Sequence, residues 1–160
     1  MGFFSRLFSM GSKDTDKKAT AMPSGAVTEM GLDAQAAEAI LSEIDIDTAI
    51  SAHENWKLRL QNYLNGNSTE TLLPEIVCLD DRCDLGKWLH GPGGQRLGRY
   101  PAFSVLVARH KYFHVQASNV VALAQTDQKD KAIQALDGSY KYASSQVVLL
   151  LKELKRGLGR

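Results

Sequence analysis

The sequence lacks long apolar runs and an excess of charge of either sign. No run approaches the roughly 18 uncharged apolar residues of a membrane-spanning helix, and the opening residues lack the apolar stretch and cleavage site of a secretory signal. Nineteen Lys and Arg offset eighteen Asp and Glu, so the net charge is only +1. No broad electrostatic field therefore indicates a nucleic acid or an anionic membrane as partner. These absences favour a cytoplasmic protein that binds no nucleic acid.

Cysteine is also scarce, because only Cys78 and Cys83 occur among the 160 residues. In a reducing compartment such a close pair is typical of free thiols or metal ligands rather than a disulfide. The hydrophobic fraction of 44% is enough to build one core of ordinary size. We therefore expect a single domain with reduced cysteines.

The first thirty residues differ in composition from the rest. Residues 1–8 combine apolar side chains with Arg6, and residues 9–25 are rich in Gly, Ser and Lys, a composition that cannot bury enough surface to order itself. Residues 1–8 could lie on a membrane or a partner as one or two amphipathic turns, although so few residues give little binding energy. We interpret residues 1–30 as a disordered or weakly amphipathic segment that precedes a domain spanning residues 31–160.

In that domain apolar residues recur at steps of three and four, which is typical of amphipathic helices. Four long helices are predicted to begin near Asp33, Asp47, Pro101 and Asp130. Asp33 and Asp47 are predicted N-caps, and Asn65-Gly66 is predicted to end the second helix. The inward stripe of the last helix is predicted to consist of Ile133, Leu136, Tyr140, Ala143, Val147, Leu150 and Leu154.

Between the second and third long helices lies a connector with Gly66 and Pro74. It leads to a brief helix from Cys83 to Leu89, which the run Gly91-Pro92-Gly93-Gly94 is predicted to end. With no segment of strand periodicity in competition, the sequence predicts an all-α fold. Its architecture is predicted to be an antiparallel four-helix bundle, with a short inserted helix that carries Cys83.

Histidines lie on the inward stripes of two of these helices. His110 and His114 are four residues apart on the third long helix, so both imidazoles can reach one ion. Such a pair also occurs by chance as two hydrogen-bonded core histidines. His53 faces inward from the second helix, and Leu85, Trp88 and Leu89 should carry Cys83 towards the same core.

A mixture of one thiolate and three imidazoles favours zinc over magnesium or calcium, although copper(I) could compete on ligand softness. Four protein ligands would close the coordination shell and leave no position for a substrate. The sequence therefore indicates a structural or sensory metal site, and we expect no enzymatic activity.

Three segments together resemble a known family, the chemoreceptor zinc-binding domain. The segments are Ala52-His53 with Trp56, Leu58 and Leu60; Cys83-Asp84-Leu85-Gly86-Lys87-Trp88-Leu89 followed by Gly91-Pro92-Gly93; and His110-Lys111-Tyr112-Phe113-His114 with Ala117. The resemblance covers roughly Ile46 to Leu154.

The resemblance implies a zinc site with His53, Cys83, His110 and His114 as ligands, in a four-helix bundle that forms homodimers. Members of this family are bacterial, mostly cytoplasmic, and fused to chemoreceptor coils or diguanylate cyclases, where they are implicated in responses to zinc or to hypochlorous acid. Within these 160 residues we find no methyl-accepting coil, GGDEF segment or other output domain. We therefore expect any signal to leave through a partner in a chemotaxis or cyclic-di-GMP pathway, through the N-terminal segment, or not at all.

Several residues near the predicted ligands have open assignments. Asp80, Asp81 or Asp84 is expected either to accept a hydrogen bond from a ligating imidazole or to remain a solvated surface acid. We interpret Cys78 as a buried small residue, with a resolving thiol for oxidised Cys83 as the alternative. His90 is expected to be a C-terminal capping or surface residue rather than a ligand. Trp56 and Trp88 are expected to pack around the site.

Other functions fit the sequence less well. A hemerythrin-like di-iron bundle needs more histidines and bridging carboxylates than are present, and nothing marks the oxyanion hole that a Cys-His hydrolase requires. The stronger alternative is a zinc buffer, or an adaptor whose fold is held together by the metal without sensing.

Overall fold

A computed structural model describes residues 32–159 of the chain, and all regular structure in that range is helical. The all-α bundle prediction is confirmed. The α-helices, in chain order, are α1 (Ala34–Glu43), α2 (Ile46–Leu64), α3 (Pro74–Val77), α4 (Asp84–Leu89), α5 (Pro92–Leu97), α6 (Pro101–Gln125), α7 (Lys129–Ala135) and α8 (Lys141–Gly157). The interpretation of residues 1–30 concerns residues outside the described range.

Aspartates cap the first two helices, but one predicted cap is wrong. Asp33 caps α1 by accepting a hydrogen bond from the backbone N–H of Ala36 at 2.7 Å. The cap of α2 is Asp45 rather than Asp47, because the Asp45 carboxylate is the one that accepts from the Thr48 N–H, at 3.0 Å. Asp47 lies inside the first turn and instead forms an ion pair with Lys155.

The connector between α2 and α6 contains more helix than the sequence indicated. Besides α4 it forms α3, which begins at Pro74, and α5, which begins at Pro92. Helix α4 ends at Leu89, just before residues 91–94 as predicted, but the sequence did not indicate that a new helix begins at Pro92. Pro is well suited to the first position of a helix. Gly93 allows α5 to fold tightly against α4, since a Cβ there would lie 2.7 Å from atoms of the Trp88 ring.

A five-residue π-helical segment, Leu136–Tyr140, joins α7 to α8. The predicted inward stripe is buried from Leu136 to Leu154. Ile133, its first predicted member, is instead 40% exposed, and the buried residue of α7 is Ala132. The prediction for Ile133 is thus wrong. The wider π turn shifts the buried stripe by one residue relative to a regular α-helix.

The long helices α2, α6 and α8 form the body of the bundle. Lys155, near the end of α8, pairs with Asp47 at the start of α2, so these two helices are antiparallel. Near the opposite end of α2, the Tyr63 hydroxyl accepts from Gln125, the last residue of α6. Helices α2 and α6 therefore run in the same direction, because the connector returns the chain to the end of the bundle where α2 began.

Helix α1 packs against the connector, chiefly against α5. Glu43 at its end accepts hydrogen bonds from Arg96 at 2.7 Å and from the Trp88 indole N–H at 3.3 Å. One carboxylate thus joins α1 to both α4 and α5. None of the helices within residues 32–159 is long and apolar enough to cross a membrane.

Candidate metal centre

The four predicted ligands lie together in the interior of the bundle. Their potential ligand atoms, one from each of His53, Cys83, His110 and His114, are all within 4.8 Å of one another. The imidazoles are almost fully buried, with exposed fractions of 3%, 0% and 4% for His53, His110 and His114. Cys83 is half-buried. The structure therefore brings together every side chain that the sequence singled out for metal binding.

The distances between these atoms suit a tetrahedral zinc ion. The Nε2 atoms of His110 and His114 are 3.2 Å apart, and the Cys83 Sγ lies 3.3 Å and 3.7 Å from them. Zinc bonds of about 2.0–2.1 Å to nitrogen and about 2.3 Å to sulfur place tetrahedral ligands about 3.3–3.6 Å apart. The donor set also contains the nitrogen and sulfur ligands that zinc prefers. Zinc is the cofactor that this cluster fits.

Backbone carbonyls orient two of the imidazoles. His53 Nδ1 lies 2.7 Å from the carbonyl oxygen of Ala49, one turn earlier on α2. His114 Nδ1 lies 2.9 Å from the carbonyl oxygen of Val77, at the end of α3. Each ring therefore donates its Nδ1–H to a carbonyl, which leaves the Nε2 lone pair directed at the centre.

A buried polar atom without a partner further supports a metal. His53 Nε2 is buried and has no hydrogen-bond partner among residues 32–159. An unsatisfied buried polar atom costs free energy that a metal bond would recover. His110 Nδ1 is likewise buried without a partner in that range, so no group fixes the tautomer of this central ring as carbonyls fix the other two.

Burial determines which protonation states the cluster holds. It lowers the pKa of His53 and His114, and together with the neighbouring imidazoles it lowers the pKa of His110 to about 2. All three rings are therefore neutral at pH 7, as metal ligation requires. Burial also raises the pKa of the Cys83 thiol, although backbone N–H groups of Gly86 and Leu85 partly offset it. Without a metal, Cys83 thus keeps its proton at neutral pH.

Cys83 reaches the centre because it caps α4. Its Sγ accepts a hydrogen bond from the backbone N–H of Gly86 at 3.3 Å, in the manner of an N-cap side chain. Gly86 has to be glycine, since a Cβ would collide with the backbone carbonyl of Asp80. The sequence Cys-x-x-Gly therefore combines a ligand, a helix start and a close backbone contact.

The aspartates near Cys83 do not accept hydrogen bonds from the candidate histidine ligands, which was one of the two expected arrangements. Asp80 accepts instead from His90 Nε2 at 2.8 Å, and Asp81 and Asp84 are exposed beside Arg82 and Lys87. His90 is exposed and caps the end of α4, as predicted. The carbonyls that do orient the imidazoles belong to Ala49 and Val77. The sequence carries no signal for them, because every residue has a carbonyl.

The other neighbours differ in their burial. Trp88 is buried and packs against Phe103 at a centroid distance of 5.9 Å, as expected for core packing. Trp56 is only half-buried, and the Arg59 guanidinium stacks on its ring at 3.9 Å. Cys78 is half-buried, and its thiol donates to the Glu75 carbonyl at 3.4 Å.

Cavities approach the centre from two sides. A cavity of about 670 Å³ beside α4 reaches His53 and Cys83, and its lining includes Glu43, Asp45 and Asp84. A second cavity of about 310 Å³ reaches Cys83 and His114 from the side of α3. Cys83 lines both cavities. It is thus the candidate ligand that small molecules can approach from either side.

Comparisons with known proteins agree with this geometry. The family model of the chemoreceptor zinc-binding domain matches residues 53–121, a segment that contains all four clustered side chains. No curated protein and no solved structure matches the chain. The resemblance to the chemoreceptor zinc-binding domain is therefore confirmed over residues 53–121.

Proposed function

We propose that His53, Cys83, His110 and His114 are the ligands of one zinc ion, and that the domain senses zinc or oxidants through this site. The observation that supports the proposal most directly is the mutual approach of all four ligand atoms to within 4.8 Å. The four protein ligands would complete the coordination of the zinc ion, and the charge of the ion would keep Cys83 deprotonated as a thiolate.

Sensing of oxidants is supported by the position of Cys83. A metal-held thiolate is nucleophilic at neutral pH, whereas the raised pKa of the buried thiol keeps it protonated without the ion. Hypochlorous acid would transfer oxygen to the sulfur and release chloride, leaving a sulfenic acid that is a weaker ligand. Because Cys83 caps α4, loss of this bond would release α4 while the histidines remain on α2 and α6.

The output is proposed to pass to a separate signalling protein in a cytoplasmic chemotaxis or cyclic-di-GMP pathway. The proposal rests on the family match and requires no catalytic step in this domain. A pull-down that compares zinc-loaded protein, apoprotein and His110→Ala tests it. A partner retained equally by all three forms would contradict zinc-dependent signalling.

A homodimer is proposed as the working assembly. Large apolar side chains are exposed on the outer faces of α6 and α8, namely Tyr112, Val115, Tyr142 and Leu149. Light scattering should give twice the monomer mass, and Leu149→Lys should lower the dimer fraction. A monomeric wild-type protein at high micromolar concentration would contradict this assembly.

The direct test of sensing compares the wild-type protein with Cys83→Ala. Mild hypochlorite treatment should lower the zinc affinity or the helix content of the wild type and leave the variant unchanged. Cys78→Ala is the matched control, because it removes the other thiol and should respond as the wild type does. Equal responses of the wild type and Cys83→Ala would reject a role for Cys83 in sensing.

A purely structural role for zinc is the second candidate, and the near-complete burial of the three imidazoles favours it. Zinc affinity separates the two functions. A sensor should exchange zinc near the free concentration in the cell, whereas a structural ion should remain through chelation until the protein unfolds.

A further inference from the structure

The smaller cavity beside the metal centre has the features of a ligand pocket. It lies between α2, residues 71–79 around α3, and Arg82. Its volume is about 310 Å³. Five aliphatic side chains belong to its lining: Leu72, Leu73, Ile76, Val77 and Leu79. Ligand pockets combine such apolar walls with a few polar groups, in volumes of about 300–1,000 Å³. This cavity is at the small end of that range.

One wall of the cavity is held in place by a charged network. Arg59 donates to both carboxylate oxygens of Glu70, at 2.9 Å and 3.3 Å, and also stacks on the Trp56 ring. Glu70 therefore neutralises Arg59, and the paired, stacked side chains form a fixed surface. This wall is preformed and does not need the ligand to order it.

A second arginine in the lining is held only weakly. Arg82 pairs with the adjacent Asp81 at 3.6 Å, and the two side chains are 70% and 62% exposed. Such an exposed ion pair is worth little in water. The Arg82 guanidinium therefore has N–H donors available for an anion at the edge of an apolar cavity.

Two apolar residues at the rim are unusually exposed. Leu73 is 45% exposed and Ile76 is 53% exposed, although both line the cavity. A ligand with an aliphatic body would cover them, and its acidic group would remain at Arg82. The small volume suits a molecule of this kind better than a segment of another protein.

We propose that this cavity is a binding site for a small amphipathic anion, a carboxylate on an aliphatic chain. The head group pairs with Arg82, and the chain packs against the α3 residues and the Trp56–Arg59 wall. The head group is held by Arg82 rather than by the zinc ligands, and the proposal does not depend on the sensing function proposed above. Because Cys83 and His114 also line the cavity, the bound molecule lies directly beside the metal centre.

The experiment uses full-length, zinc-loaded, ¹⁵N-labelled protein and three probes of equal length: hexanoate, hexylammonium and 1-hexanol. Hexanoate should shift the backbone amide resonances of residues 72–83 in a saturable manner. Hexylammonium should bind at least tenfold more weakly, because its positive charge is repelled by the positive charge of Arg82. No saturable shift in residues 72–83, or equal binding of hexanoate and hexylammonium, would overturn the proposal.

Two exposed residues offer variants that should fold normally. Arg82→Gln should weaken hexanoate at least tenfold and leave 1-hexanol unchanged, whereas Leu73→Gln should weaken both. Arg99→Gln, an exposed arginine outside the cavity lining, is the matched control and should bind hexanoate as the wild type does. Hexanoate binding that is unchanged in Arg82→Gln would refute the role of Arg82 and with it the proposed site.

Discussion

The two sides of the metal centre are supported in different ways. His53, His110 and His114 extend from α2 and α6, two long helices of the bundle, and are almost fully buried. Cys83 caps a six-residue helix in the connector, is half-buried and faces both cavities. Under the zinc ligation proposed above, we expect the histidine side to provide most of the affinity, and we expect the cysteine side to react without loss of the fold.

The largest expected effect comes from removing a ligand on the histidine side. We expect His110→Ala to lower zinc affinity by more than about 100-fold, since loss of a ligand should exceed the 10–100-fold cost of losing its supporting contacts. Competition with a chelator of known affinity measures the change. His90→Ala is the matched control and should bind zinc normally, because His90 is exposed and pairs with Asp80.

Acid should also act on the histidine side, and it should act on the apoprotein. Burial lowers the pKa of all three imidazoles in the folded state, whereas in the unfolded chain it is about 6.5. Below pH 6.5 the unfolded chain therefore binds more protons, and the free energy of unfolding falls as the pH falls. The slope should reach up to about 1.4 kcal/mol per pH unit for each histidine.

Urea denaturation of apoprotein between pH 7.5 and 5 measures this slope. His110→Leu removes one of the titrating groups and should reduce the slope by about a third. If apoprotein stability is independent of pH over this interval, the pKa values of the three imidazoles are not lowered in the folded apoprotein.

Removing the cysteine ligand should cost less than removing a histidine. In Cys83→Ala three imidazoles remain, and water can take the fourth position of the zinc ion. We expect zinc affinity to fall less than it does in His110→Ala, because Cys83 is only half-buried and solvent can reach the vacated position, and we expect zinc still to bind with one ion per chain. Calorimetry measures both quantities. A loss as large as that of His110→Ala would break the distinction between the two sides.

Zinc binding should release a proton from the cysteine side alone. The raised pKa of Cys83 keeps the apo thiol protonated, and the three imidazoles are already neutral at pH 7. We expect about one proton per zinc at pH 7 in the wild type, and about half as many in Cys83→Ala, where a zinc-bound water with a pKa of about 7 replaces the thiolate. Calorimetry in buffers of different ionisation enthalpy measures the number. Release of two or more protons would mean that the imidazoles are charged in the apoprotein.

The smallest expected effect concerns the contact between α1 and α4. Glu43→Gln weakens the ion pair with Arg96 and leaves an acceptor for the Trp88 indole. We expect zinc affinity to change by less than about threefold, because the pair is partly exposed, while hydrogen exchange in α1 and α4 becomes faster. Glu153→Gln, which affects an ion pair within α8, serves as the control. A large loss of zinc affinity in Glu43→Gln would contradict this expectation and show that Glu43 helps to position the metal ligands.

The sequence was a good guide where side-chain periodicity carries the information. The inward stripes correctly brought His53, His110 and His114 together, and the buried Leu85, Trp88 and Leu89 carried Cys83 to them. The position of the second helix cap was harder, because Asp45 and Asp47 both suit a helix start and only the backbone path selects Asp45.

Other features depend on contacts that residue types do not encode. The carbonyls of Ala49 and Val77 became visible only when the chain was folded. Ile133 is exposed because of the π turn at Leu136–Tyr140, and the presence of Gly138 in the sequence is not enough to predict that turn. Helix α5 was missed because its glycines are usually helix breakers, whereas here Gly93 makes room for Trp88.

The spacing of the four ligands along the chain has a consequence for folding. Cys83 and His110 are 27 residues apart, whereas His110 and His114 are separated by a single helical turn. An ion that joins all four positions would act like a set of cross-links, and the one between Cys83 and His110 would close a long loop. Chain-entropy arguments assign about 3.5 kcal/mol to a cross-link over a loop of this length. The apoprotein should consequently explore a much larger set of backbone conformations than the zinc form before it commits to the native topology.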